Sequence, residues 1–448
     1  MSELRGLGLA IGAFGAAVVG ACVLETGGLS PAGVGGAGGS SLTLIGPTSS
    51  SLSSGGNPNV GGGGAGPTSS TAVGGGGTGP GGGGAGGMPD VGRIVAGNFH
   101  TCFISPTNDQ VSCWGEGDNG RLGLGDDMDR LTPALVQTNG QPLTASIDAA
   151  LGVTSSCTLD GSLDLRCFGS NGNGHFGTGS LGPSNVPTLG FGTVPDDLVA
   201  VGVGEQHACV LTLPGTVFCA GRDQEGQLGN GTATPSSSTP EMVAGGLLFT
   251  QVSVGFNHTC GVTTGTNEVR CWGNDVHGQL GSGIAGTSAD TPQAPVALGQ
   301  GAKTVVAGFS GSCALLMDDT VSCWGFNGNG QLGTGNRDTP IPVTPLGLTA
   351  VESFDLGTRL GCAVLTGGAV RCWGDRAAVP LGDGVSGVDP SVPISVTPSA
   401  PAQSIAVGEE HACALLDSGA VECWGNNGSG QLGDNSTDTR TTPVAVQF

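Results

Sequence analysis

The stretch Val407-Gly-Glu-Glu-His411-Ala-Cys413-Ala-Leu-Leu-Asp-Ser-Gly419-Ala-Val421-Glu-Cys423-Trp424-Gly425-Asn-Asn-Gly-Ser-Gly430-Gln-Leu-Gly433 decides the fold, because variants of it occur seven times. The first Cys of each copy falls at 102, 157, 209, 260, 313, 362 and 413, with offsets of 55, 52, 51, 53, 49 and 51. A second Cys follows 10 or 11 residues later, at 113, 167, 219, 271, 323, 372 and 423. Each copy reads as β structure. A short apolar run ends in Gly, as in Ile94-Val-Ala-Gly97, and a strand such as Cys413-Ala-Leu-Leu follows. Then come a tight turn, a second strand such as Val421-Glu-Cys-Trp, a longer loop and a Pro-bounded apolar stretch such as Pro443-Val-Ala-Val. That makes about four strands per copy, with no helical periodicity. One such sheet cannot bury both faces alone, so the copies must stack. Seven closing a ring give an all-β, seven-bladed β-propeller, with closure expected to join the strand near Ile94 to the stretch Pro443 to Phe448.

The repeat resembles that of the regulator of chromosome condensation family. The matching pieces are Gly-x-x-His, then Val-x-x-Trp-Gly, then Gln-Leu-Gly at 227–229, 279–281, 331–333 and 431–433. The resemblance spans residues 91–448 and implies a seven-bladed propeller. Some copies depart from the pattern. Ser155, Gly311 and Leu360 stand where the His is expected, Phe168 and Ala220 where the Trp is expected, and His175-Phe176-Gly177 and Pro380-Leu-Gly382 at the loop. The second, third and sixth blades are therefore expected to be the least regular.

The Cys pairs admit three chemistries: disulfides, buried free thiols and a zinc site. His-x-Cys with a nearby second Cys suits zinc. Three copies lose the His, however, while both Cys persist in all seven. Strands joined by a short turn bring opposite Cβ atoms to about 4.5–5.5 Å, close to what a disulfide needs. The reading preferred is seven disulfides: Cys102–Cys113, Cys157–Cys167, Cys209–Cys219, Cys260–Cys271, Cys313–Cys323, Cys362–Cys372 and Cys413–Cys423. Each would contribute about 2.7 kcal/mol on the chain-entropy view. Such pairing disfavours a reducing cytosol. The repeated His100, His207, His258 and His411 are read as backbone-bonding structural residues, and Trp114, Trp272, Trp324, Trp373 and Trp424 as packing between blades.

Two segments precede the repeats. Residues 1–22 read as a signal: Arg5, an apolar run from Gly6 to Gly20, then Val19-Gly-Ala-Cys22, which resembles the lipobox of bacterial lipoproteins. That resemblance implies lipidation at Cys22, the alternative being an ordinary signal. Val23 rather than Asp after the Cys implies the outer membrane or cell surface. Residues 23–90 hold 26 Gly among 68 residues and two charges, Glu25 and Asp90, and read as a disordered linker. As a flexible coil it spans roughly 45 Å. Membrane contact is expected through the lipid anchor only.

Of 448 residues, 13 are Lys or Arg and 35 are Asp or Glu, a net charge of −22. This argues against nucleic acid as a partner. No nucleophile elbow, phosphate loop or His-Glu-x-x-His occurs. Adjacent carboxylates such as Asp196-Asp197 and Glu409-Glu410 point different ways on a strand. The acidic loops Gly125–Asp129 and Asp434–Asp438 lack the full calcium-loop spacing and read as solvated turns. No catalytic residue, cofactor or metal is assigned. The expectation is a non-enzymatic propeller that engages a protein or glycan through the variable loops after Gln-Leu-Gly. Nucleotide exchange on a small GTPase, the activity of the family's namesake, and a propeller-hosted hydrolase or lyase are the alternatives.

Overall fold

The computed structural model describes residues 92–144, 148–335, 337–387, 389–390 and 392–448. Residues 1–22 and 23–90, read above as a signal and a linker, lie outside these. Seven antiparallel sheets follow one another along the chain. They begin at Arg93, Asp148, Leu198, Phe249, Ala302, Val351 and Ala402, and each is one blade. Within a blade the strands, here called A to D, pair in chain order. In blade seven they are Ala402–Val407, His411–Leu416, Val421–Gly425 and Arg440–Ala445.

The register explains the repeat. His411 lies opposite Gly425, Ala412 opposite Trp424, and Cys413 opposite Cys423. The same alignment places the two Cys of every blade face to face, with Cα atoms 4.0–4.1 Å apart, and all seven pairs are disulfide-bonded. The Gln-Leu-Gly loop is folded by its own side chains. The Asn427 side-chain oxygen accepts from the Leu432 amide at 3.0 Å, and Gln431 Oε1 accepts from the Ser429 amide at 3.0 Å. Gly433 closes it with a φ of 67°, and a Cβ there would meet the Trp114 indole at 2.8 Å.

Seven buried apolar clusters hold the wheel, one for each pair of neighbouring blades. The five Trp are fully buried in them, as the repeat predicts. Burial of one such ring is worth several kcal/mol, and truncating it to Ala costs about 3–5 kcal/mol.

One expectation is met and one is corrected. First, the strand near Ile94 meets the last stretch of the chain, Ile94 and Val446 sharing one apolar cluster, and the join needs no exchanged strand. Blades one and seven are each complete in their own stretch of chain, and the seam is made by side chains. Val446 and Phe448 pack on Trp114 and Phe103, with the Phe103 and Phe448 rings 5.0 Å apart. Second, the irregular blade is the fourth. Blades two, three and six each have four strands, while blade four has three. Its outer edge is covered by the loop through Ala289, whose amide and carbonyl both bond Gly273. The altered His and Trp positions in blades two, three and six are accommodated by their neighbours, so their strand pairing survives.

Candidate binding site at the axial mouth

Strand A of each blade is innermost and ends in Gly. In register, the end of A, the start of B, the end of C and the start of D lie together: Ala96 opposite Thr101, His100 opposite Gly115, Gly115 opposite Arg130. The A–B loops and the long C–D loops therefore share one face, and the short B–C turns lie on the other. The glycines ending strand A, at 97, 152, 204, 255, 308, 357 and 408, form a ring about the axis. A Cβ on Gly97 would stand 2.5 Å from the Gly152 carbonyl, and one on Gly408 2.5 Å from that of Gly97. Only Gly lets seven backbones approach this closely.

The residues after these glycines are Asn98, Val153, Glu205, Phe256, Phe309, Thr358 and Glu409. All but Glu409 line a narrow cavity of about 40 Å³ whose floor is apolar: Ala96, Leu151, Val203, Val254, Ala307, Leu356 and Val407. The Phe256 and Phe309 rings lie 4.1 Å apart. Glu409 accepts from the Asn98 amide group at 2.8 Å, and burial raises its pKa. Burial also raises that of Glu205, which Arg222 approaches at only 3.9 Å while bonding Glu225 at 3.0 Å. Glu409 and Glu410 lie in the A–B loop rather than on a strand, and Glu410 turns away from Glu409 to Arg359 at 3.2 Å and Asn426 at 2.6 Å. Asp196 and Asp197 lie exposed, and the Asp197 carbonyl bonds Leu213 in a B–C turn on the opposite face.

The acidic loops are occupied by their own chain. Asp126 pairs with Arg130 at 2.7 Å, and Asp129 caps the Gly117 amide at 2.9 Å. Asp434 pairs with Arg440 and accepts from Asn427 and Ser436. Among the described residues, no group of three or more His, Cys, Asp or Glu is placed to hold a metal ion.

The histidines bond side chains of the next blade rather than backbone. His100 Nε2 meets Ser156 Oγ at 2.8 Å, His207 meets Thr259 at 3.0 Å, His258 meets Ser312 at 2.9 Å, and His411 meets Thr101 across the seam at 2.9 Å. Each hydroxyl donates onward to the carbonyl of residue 121, 227, 279 or 431. Its hydrogen being spent there, the hydroxyl accepts from Nε2–H of the imidazole, which burial keeps neutral. Burial lowers the His207 and His258 pKa to about 3 and that of His411 to about 4. Where the His is absent, the hydroxyl of the next blade is absent too: Ser155 with Ala208, Gly311 with Gly361, Leu360 with Ala412. Ser155 instead binds His175 of its own blade at 2.9 Å. His and hydroxyl are thus one unit. The double variant His411→Leu/Thr101→Ala, which copies the Leu360–Ala412 pair, should be more stable than the sum of its single variants by about 1 kcal/mol. A urea double-mutant cycle reads this, and strict additivity would show the pair to be uncoupled.

A model of the RCC1-like domain matches residues 110–448, and one of the regulator of chromosome condensation (RCC1) repeat matches residues 93–121. The chain belongs to the RCC1-like domain family. Among the family's proteins it is 25% identical over 362 residues to the Ultraviolet-B receptor UVR8 of Arabidopsis thaliana, covering 79% of this chain and 81% of that one. It is 28% identical over 299 residues to the E3 ubiquitin-protein ligase HERC2 of Homo sapiens, covering 64% of this chain. The match spans only 6% of HERC2. The crystal structure of human WBSCR16 superposes with a TM-score of 0.67 at 21% identity, covering 76% of this chain and 95% of that one. Yeast RCC1 (Prp20), in its complex with Kap60, gives 0.66 at 19% identity, covering 79% and 87%. At these identities the two structures speak for the shared fold.

Proposed function

We propose that this RCC1-like propeller is a non-enzymatic binding protein of the cell envelope. It is held by a lipid on Cys22 through the 23–90 tether, and it engages a protein ligand with the face that surrounds the axial mouth. The observation that carries this reading is the convergence of the variable A–B and C–D loops on that one face of an otherwise repetitive wheel. Three further points support it. Yeast RCC1, a protein of the same fold, is seen with a protein partner, Kap60, bound to it. Seven disulfides suit an oxidising compartment. Strand A of blade one starts at Arg93 on the B–C side, so the first described residues lie at the opposite end of the strand from the mouth.

Radiolabelled palmitate with membrane fractionation tests the anchor. The wild type should carry label and sediment with the envelope, and Cys22→Ser should lose both. Labelled Cys22→Ser, or unlabelled wild type in the cytosolic fraction with alkylatable thiols, would overturn the placement. Cross-linking on intact cells tests the face. Phe309→Ala with Arg359→Ala should cut capture of the ligand at least about tenfold, the effect of losing interface anchors. Asp164→Asn on the B–C face should not.

A further inference from the structure

We propose that the axial mouth is a socket for the guanidinium of an arginine side chain presented by the protein ligand. The inference rests on the reading of the chain as a protein-binding wheel and names what its centre recognises.

Size comes first. About 40 Å³ of free space admits about three water molecules, too little for a sugar ring or a nucleobase but enough for a slender head on a methylene stem. Charge comes second. Glu205 borders the cavity, and Glu409 stands beside it, bonded to the lining residue Asn98. Glu205 Oε2 is shielded from water and has no hydrogen-bond donor, its nearest cation being the shared Arg222 at 3.9 Å. Glu409 has the neutral Asn98 as its bonded partner, and Arg359 is committed to Asp375 at 2.9 Å and Glu410 at 3.2 Å. An incoming cation would find two carboxylates that the chain's own bases leave under-neutralised. Shape comes third. Phe256 and Phe309 border the same cavity, and an aromatic face attracts a cation. A planar guanidinium can stack on a ring and still offer N–H groups to carboxylates on either side, which a compact ammonium cannot. The apolar floor leaves the charged head at the level of the rim.

The experiment is calorimetric titration of the full chain with acetyl-Gly-Arg-Gly-amide and its citrulline analogue, which keeps the shape and removes the charge. The arginine peptide should bind at least about tenfold more tightly than the citrulline peptide, the scale of one charge-assisted contact. Glu205→Gln and Glu409→Gln should each remove that advantage, and Phe309→Ala should weaken it. Glu352→Gln, exposed and outside the cavity lining, should leave it intact. Equal binding of the two peptides, no binding of either, a lysine peptide binding as tightly as the arginine one, or equal losses in Glu352→Gln would each overturn the socket. Circular dichroism of each variant confirms the wheel before titration. Should the peptides fail while Phe309→Ala with Arg359→Ala still abolishes capture on cells, the socket alone falls. Capture that ignores the mouth face would remove the binding reading itself.

Discussion

Replacing Asp355 with Ser is expected to stabilise the protein above neutral pH and to leave it nearly unchanged near pH 4. Asp355 is fully buried between blades six and seven, where it accepts from the Leu356 amide at 2.8 Å and the Val407 amide at 2.6 Å. Burial pushes its pKa up to about 7, and no neighbouring charge counters this. Asp148, the other fully buried strand-A aspartate, has Arg93 at 2.6 Å. The folded chain keeps the Asp355 proton at pH values where the unfolded chain, at about 3.8, has released it. This contribution is therefore fully present below about pH 4 and is lost as the pH rises through about 7. The gap of about three pH units, at about 1.4 kcal/mol each, caps the effect at about 4 kcal/mol. The buried histidines act in the opposite direction. Neutral in the fold and pulled to about 3–4, they cost stability as the pH falls from about 6.5. The difference between variant and wild type isolates the aspartate from this larger acid lability. Blade four shows the replacement to be sound, for Ser253 at the equivalent position bonds the Ala307 amide at 2.9 Å. Urea melts at about pH 4, 6 and 8 measure the difference, and a gap that does not grow with pH would refute the assignment.

Gly97→Ala should cost about 3 kcal/mol or more, at the upper end of what overpacking inflicts. Its methyl would lie 2.5 Å from the Gly152 carbonyl oxygen and 2.5 Å from His100 Cε1. The first is backbone held by the next blade, and the second is fixed by Ser156, so neither can retreat. The variant should also weaken the seam between blades one and two, seen as faster amide exchange in Asp148–Leu151. Gly428→Ala is the control. Nothing lies within 4 Å of its new methyl, and its effect should stay within about 0.5 kcal/mol. Similar melts for the two variants would mean that the axial ring can relax.

The wheel was legible because a strand pair with opposed Cys, a buried Trp and a Gly-rich loop recurs at nearly constant spacing. The partners of the histidines were harder to read. His100 and Ser156 are 56 residues apart, and nothing local marks Ser156 as special. The signal lay in comparing each copy with the next, where His and hydroxyl vanish together. The mouth was missed for a related reason. Its residues are the ones after the axial glycine, the position where the repeat is least constant, so no motif contains them. The irregularity of blade four was hidden because its His, Cys and Trp are all in place. What it lacks is an outer strand, and the long loop at 282–301 supplies backbone partners instead.

Because every blade is finished within its own run of chain, the join between first and last is chemically one spoke boundary among seven. Cutting the polypeptide between any two petals and linking residue 448 to residue 92 would preserve every strand pairing and every sulfur bridge. Such rearranged molecules should assemble into the same disc, and gain or loss of a whole petal by duplication or deletion would change the bore of the hub while leaving the grammar of each petal untouched.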